Sequence, residues 1–185
     1  MSELVTDSVG KKASNQKSAV ILGIGNTLRI DDGVGIVLVE SLEQNLAGQP
    51  NIAFETMQTG GIDILGSIEG FDLAIIIDAA FMNANPGEAR WLPVGKSDRN
   101  IRLYSSTHSA GVLETIQMAR TIQNLDMPEI IVVLGIQVKE TKGFGENLTE
   151  EVAVGAKTAF QMIIEKLKEF KILDKDLDVA SPEFS

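Results

Sequence analysis

Cysteine is absent from this chain, and histidine occurs once, as His108. The first absence excludes disulfides, thiolate metal sites, iron–sulfur clusters and cysteine nucleophiles. Any metal would have to be met by carboxylate, imidazole, carbonyl or water. Long hydrophobic runs are missing too: nowhere do roughly 18 apolar residues follow one another, as a membrane span requires, and the amino-terminal stretch lacks the apolar centre of a secretory signal. A cytoplasmic protein with no membrane partner is expected. Positive charge is scarce, with 16 Lys and Arg against 26 Asp and Glu and a formal net charge of −10. Counterion release would work against such a surface on a phosphate backbone, so nucleic acid is not an expected partner. The acidity reads first as solubility.

What is present suits one compact domain. The chain has 185 residues, 44% of them hydrophobic, within the roughly 100–200 residues of a common domain, and no interior linker interrupts it. Residues 1–17 carry few large apolar side chains and read as a loose tail; residues 18–173 form the domain; the polar stretch 174–185 is expected to fray. Ser18 to Gly23 is a short apolar run ending at the glycine turn Gly23-Ile24-Gly25-Asn26, which predicts a buried first strand. Val34, Val37, Leu38, Leu42 and Leu46 recur at helical spacing, with Gly48 and Pro50 as stop signals.

A second strand is expected over Asn51 to Met57, a short helix from about Ile62 to Ile68, and a central strand over Leu73 to Ile77 that ends at Asp78. Glu88 to Val94 fits an edge strand, because Pro93 cannot donate to a ladder from a central position. Val112, Ile116, Ala119 and Ile122 mark a third helix, and Ile130 to Leu134 another buried strand. Thr149 can cap a long final helix with a buried stripe of Val152, Ala156, Phe160, Ile163 and Leu167. Alternation of strands and helices predicts an α/β fold: a three-layer α/β/α sandwich whose sheet of about five strands is mostly parallel, with one antiparallel edge strand.

In open α/β sheets ligands bind beyond the carboxyl ends of the strands, so residues just past each strand are the chemical candidates. Asp31 and Asp32 follow the first strand, Asp78 ends the central one, and His108 lies in Ser105-Ser106-Thr107-His108-Ser109 before the third helix. Each has a plain alternative. Asp31 or Asp32 could simply cap the next helix, Asp78 could join an ion pair or an Asx turn, and a lone histidine in a Ser/Thr loop is more often a solvated bystander. A dinucleotide site is disfavoured, since the third glycine of G-x-G-x-x-G is replaced by Leu28 and two carboxylates would repel a pyrophosphate. Should Asp32, Asp78 and His108 converge, they would form an oxygen, oxygen, nitrogen set suited to a nickel or zinc ion with open positions for water or substrate.

The loop Gly23-Ile24-Gly25-Asn26-Thr27-Leu28 followed by Asp31-Asp32-Gly33-Val34-Gly35, with Ile77-Asp78-Ala79 and Thr107-His108-Ser109 in order behind it, resembles the hydrogenase maturation peptidases. The similarity spans about Ser18 to Lys168. Asn85-Pro86-Gly87-Glu88 and Leu134-Gly135-Ile136-Gln137 look most like the branch acting on formate-hydrogenlyase-type and related hydrogenases. The resemblance implies an endopeptidase that removes the C-terminal extension of a nickel–iron hydrogenase large-subunit precursor after nickel insertion. It also implies that Asp32, Asp78 and His108 contact the precursor's nickel and carry catalysis. Gly25, Asn26, Asp31, Thr59, Gly60 and Gly61 would line the substrate cleft. The first acidic position is Glu in some relatives and the shorter Asp32 here. Nickel would come with the substrate, acting either as a Lewis acid or as a positioning ion beside a carboxylate general base, and the chain would act as a monomer. The competing reading is a nickel-sensing chaperone module that holds the same precursor without cutting it.

Overall fold

The computed structural model describes residues 16–92, 94, 102–103, 111–122 and 125–184. Its core is a sheet of six strands: β1 (Ala19–Ile24), β2 (Ile52–Met57), β3 (Leu73–Phe81), β4 (Ala89–Leu92), β5 (Arg102–Leu103) and β6 (Ile130–Gln137). The order is β2-β1-β3-β6-β4, with the two-residue β5 paired to the far end of β3. β2, β1, β3 and β6 run parallel; β4 lies antiparallel on β6, and β5 antiparallel on β3. The expected mostly parallel sheet with an antiparallel edge strand is what the chain forms. β1 (AVILGI) and the first five residues of β3 (LAIII) are apolar because helices cover both faces, leaving no water-facing side for polar residues; Asp78 interrupts β3 beyond them.

Side-chain alternation sorts the strands into two cores. Ile21 of β1, Ile75 and Ile77 of β3 and Leu134 and Ile136 of β6 face α1 (Val34–Asn45) and α4 (Glu150–Glu169). Leu22, Ala74, Ile76 and Val133 face α2 (Ile64–Ile68) and α3 (Val112–Ala119). The predicted stripe of α4, from Val152 through Phe160 to Leu167, is fully buried. Among the described residues, no helix is long and apolar enough to cross a membrane.

Several expectations are corrected. The central strand does not stop at Asp78 but continues to Phe81, because β6 runs beside it as far as Ala80↔Gln137. β6 likewise extends past Leu134 to Gln137. α2 starts at Ile64, and Ile122 lies beyond the end of α3 with 44% of its surface exposed, so it is no part of that helix's buried face. The edge strand spans Ala89–Leu92, and Pro93 is outside the described residues. In the stretch 174–184, Leu177, Val179 and Phe184 pack on the α1/α4 core, and the Gln161 side-chain amide donates to the Val179 carbonyl at 2.9 Å. The proposed tail lies outside the described residues as far as residue 15.

Candidate functional site

Strand order reverses direction at β1, with β2 on one side and β3 on the other. Connections leaving the carboxyl ends of β1 and β3 therefore diverge to opposite faces and open a crevice, the usual ligand position in such sheets. The turn after β1 enters that crevice as a 3-10 helix, Ile30–Gly33, which packs against β3 and leads directly into α1. Gly35 permits the approach: a Cβ there would lie 2.5 Å from the Ile24 carbonyl oxygen and 2.6 Å from that of Ile77. The first turn of α1 is thus wedged between the ends of the two central strands.

Asp32 sits in this turn with 5% of its surface exposed. Burial pushes its carboxyl pKa up to about 6 from an ordinary 3.8, and the Arg29 charge nearby holds back part of that rise. Asp78 is completely buried. It is the first residue of β3 beyond the pairing with β1, which ends at Gly23↔Ile77. β5 takes up that same side of β3 from Ala80 onward, while β6 holds the other side. Asp78 therefore occupies the gap between the end of β1 and the start of β5. Alternation with Ala74, Ile76 and Ala80 aims it toward the α2/α3 face. Desolvating two carboxylates at one crevice is costly unless a cation or donors offset it.

Asp31, one residue away, has a different task. Its Oδ2 accepts hydrogen bonds from the Lys139 and Glu140 amides at 2.9 and 2.8 Å and from the Thr149 hydroxyl at 3.1 Å, while its Oδ1 accepts from the Thr149 amide at 2.7 Å. Both oxygens are spent bracing the β6–α4 loop against the β1–α1 turn. The geometry gives Asp31 a bracing role between the two loops. Thr149 is the N-cap residue of α4 as anticipated, yet its hydroxyl bonds Asp31 instead of capping the helix.

The remaining sequence candidates distribute around the rim. Asn26 accepts a hydrogen bond from the Leu28 amide at 2.9 Å, an Asx turn that shapes the loop. Gly25, at φ +152°, packs where a Cβ would meet the Asp32 carbonyl oxygen at 1.9 Å. Thr59 is exposed, Gly60 buried and Gly61 half-buried in the loop after β2. His108 lies outside the described residues, and among the described ones no three His, Cys, Asp or Glu side chains gather as a metal site. Two contributors had no structural role assigned from the sequence. Arg29 was anonymous among surface cations. Gln137 ends an apolar strand, and its Oε1 accepts from the Met82 and Ala84 amides at 2.7 and 3.3 Å, fixing the loop that leaves β3; a lone amide closing an apolar run was the available signal.

Fold and site together define a class: an α/β/α protein with a buried acidic crevice at the carboxyl ends of its parallel strands. Residues 36–166 match the hydrogenase maturation protease family, a span that includes Asp78 and His108 and begins beyond Asp32. A putative hydrogenase maturation protease of Methanocaldococcus jannaschii is 30% identical over 181 residues, covering 93% of this chain and 99% of its own. A hydrogenase expression/formation protein of Thiocapsa roseopersicina is 26% identical over 167 residues, covering 88% of this chain and 75% of its own. The crystal structure of a nickel–iron hydrogenase maturation protease from Thermococcus kodakarensis superposes with a TM-score of 0.65 at 25% identity, covering 84% of this chain and 95% of that one. The chain belongs to the hydrogenase maturation proteases and is a peptidase.

Proposed function

We propose that this peptidase removes the C-terminal extension of a nickel–iron hydrogenase large-subunit precursor and does so only after nickel has been inserted. The observation that carries the reading is the burial of two carboxylates, Asp32 and Asp78, near the carboxyl ends of the central strands, where open α/β sheets generally bind ligands. Such a pair is stabilised by a cation, and the nickel of a loaded precursor is one that arrives with the substrate. An empty precursor would bring no cation of its own to this site. Selectivity for the loaded state then follows from electrostatics alone.

Asp32 and Asp78 would meet the ion through oxygen, with His108 supplying the nitrogen. A nickel ion held in this way would supply Lewis-acid chemistry, polarising the scissile carbonyl or lowering the pKa of a water. The chain's own residues orient the extended segment, and a carboxylate accepts the proton as water adds to the carbonyl carbon. As the C–N bond breaks, that proton passes to the departing amine. Asp32, with its pKa raised to about 6, is suited to exchange a proton near neutral pH. Either role, ligation or base catalysis, would need Asp32 as the carboxylate, the form that predominates above about pH 6.

The test is to incubate the protein with nickel-loaded and nickel-free precursor and weigh the large subunit. Mass loss from the carboxyl end in the loaded sample alone is expected; an unchanged mass in both overturns the proposal in favour of a module that only holds the precursor. His108→Ala should abolish processing with a nearly unchanged melting temperature, as expected for a polar side chain flanked in sequence by Ser and Thr. A large drop in melting temperature would point to a structural histidine instead.

A further inference from the structure

Exposed large apolar side chains are concentrated at one rim. Of the seven among the described residues, Leu28, Ile62, Phe81 and Phe144 lie at the carboxyl ends of the parallel strands, in or beside the segments that follow β1, β2, β3 and β6. Phe144 is 89% exposed and Leu28 53%. A monomer gains nothing by holding a phenylalanine in water, and apolar groups gathered around a site mark a surface that another chain covers.

The segment bearing Phe144 is built to hold it there. The Gly145 amide donates to the Leu28 carbonyl at 3.1 Å, and its own carbonyl accepts from the Ile30 amide at 2.9 Å. A few residues earlier the Asp31 amide donates to the Glu140 carbonyl at 3.1 Å, and the Asp31 carboxylate binds the amides on both sides of the segment. Phe144 is flanked by Gly143 and Gly145, each of which packs its backbone on the Ile30 side chain; a Cβ on them would come within 2.8 and 3.2 Å of it. The ring between them projects outward into solvent. Ile30 itself is held at φ +53°, a left-handed conformation that a β-branched residue adopts only when its surroundings impose it. The phenylalanine is thereby registered against the turn that carries Asp32.

We infer that Phe144 and Leu28, with Ile62 and Phe81 further along the same rim, form an apolar seat for an extended segment of the substrate polypeptide. That segment would carry apolar side chains next to the part that enters the acidic crevice. The inference rests on the peptidase reading of that crevice, and its occupant follows from continuity: a chain whose scissile bond lies at Asp32 must cross the rim. The seat supplies ground-state binding, while the crevice supplies chemistry. A residue that binds substrate and transition state equally changes KM and leaves kcat alone.

The experiment measures steady-state processing of nickel-loaded precursor, and separately its affinity for immobilised protein, with the full chain. Phe144→Ala and Leu28→Ser should each raise KM and weaken affinity by roughly tenfold, with kcat within twofold of wild type. Phe144→Leu should recover most of the affinity. Val154→Ser, an exposed apolar position on α4 away from the rim, should change neither. Wild-type KM and affinity in Phe144→Ala overturn the seat while leaving the peptidase reading intact. Binding that depends on Phe144 without any cleavage by wild type overturns the peptidase reading and keeps the seat; neither binding nor cleavage overturns both. Melting temperature is followed for each variant, and a Phe144→Ala protein that unfolds while Phe144→Leu is stable and binds no better overturns the seat as well.

Discussion

Asp31 and Asp32 are adjacent, chemically identical and almost equally buried, yet Asp31 is ringed by hydrogen-bond donors while burial raises the pKa of Asp32. Asp31 is surrounded by donors, so Asp31→Ala would strand three buried or half-buried amides, those of Lys139, Glu140 and Thr149. A loss of about 2–4 kcal/mol is expected in urea unfolding, since each orphaned donor carries a desolvation cost. Asp32 is held in its charged state against its own burial. Its folded pKa of about 6 exceeds the unfolded 3.8, so the folded state binds the proton more tightly. The resulting destabilisation is nil below the unfolded value, grows between the two, and is full above about pH 6. Asp32→Asn should therefore raise stability at pH 7.5 by about 1–2 kcal/mol after allowance for solvent screening, and the gain should vanish by about pH 4. The same substitution should abolish processing. An enzyme in which a destabilising charge is also indispensable retains it for chemistry; equal melting curves for the two proteins across that range would refute the account.

At the scale of elements, the site depends on how close α1 comes to the sheet. Gly35→Ala would drive a methyl group into the Ile24 and Ile77 carbonyl oxygens, both closer than 3 Å to the new atom. Neither oxygen can yield without disturbing a central strand. A cost of about 2–3 kcal/mol is expected, together with lost processing as Asp32 is displaced relative to Asp78. Thermal unfolding and the cleavage assay together check this, and a stable but inactive protein would still fit, whereas a stable and fully active one would not. Much of this level was legible beforehand. The apolar runs of β1 and β3 and the stripe of α4 are local patterns, readable wherever burial on both faces or on one stripe enforces them. What escaped was the continuation of β3 through Asp78 to Phe81. A strand's end is set by its partners, and β6 and β5 are distant in sequence.

For the whole molecule, the stretch after Leu173 acts as a cover. Phe184 stacks at a tilt on Phe160 with ring centroids 6.4 Å apart, and Lys157 pairs with Glu183 at 2.5 Å. That ion pair is largely exposed and contributes little. The apolar contacts of Leu177, Val179 and Phe184 matter more. Removing residues 174–185 should lower the melting temperature by about 5–10 °C, measured by calorimetry, and leave kcat unchanged because the cover lies on the α1/α4 face, away from the strand ends. Its polar composition hid this role: three apolar residues spaced along an irregular segment leave no periodic signal.

The sequence by itself determined which stretches would be buried, that strands and helices alternate, and that an acidic pair follows the first strand, because hydrophobic periodicity and the order of residues behind an apolar run are local properties. The tertiary structure decided which carboxylate would be used for what. Asp31 is claimed by donors from Lys139, Glu140 and Thr149, more than 100 residues away in the chain, and Asp32 is left buried in the crevice. Hydrogen-bond partners supplied across that distance have no trace in the local pattern, so two neighbouring aspartates that read alike come to opposite ends.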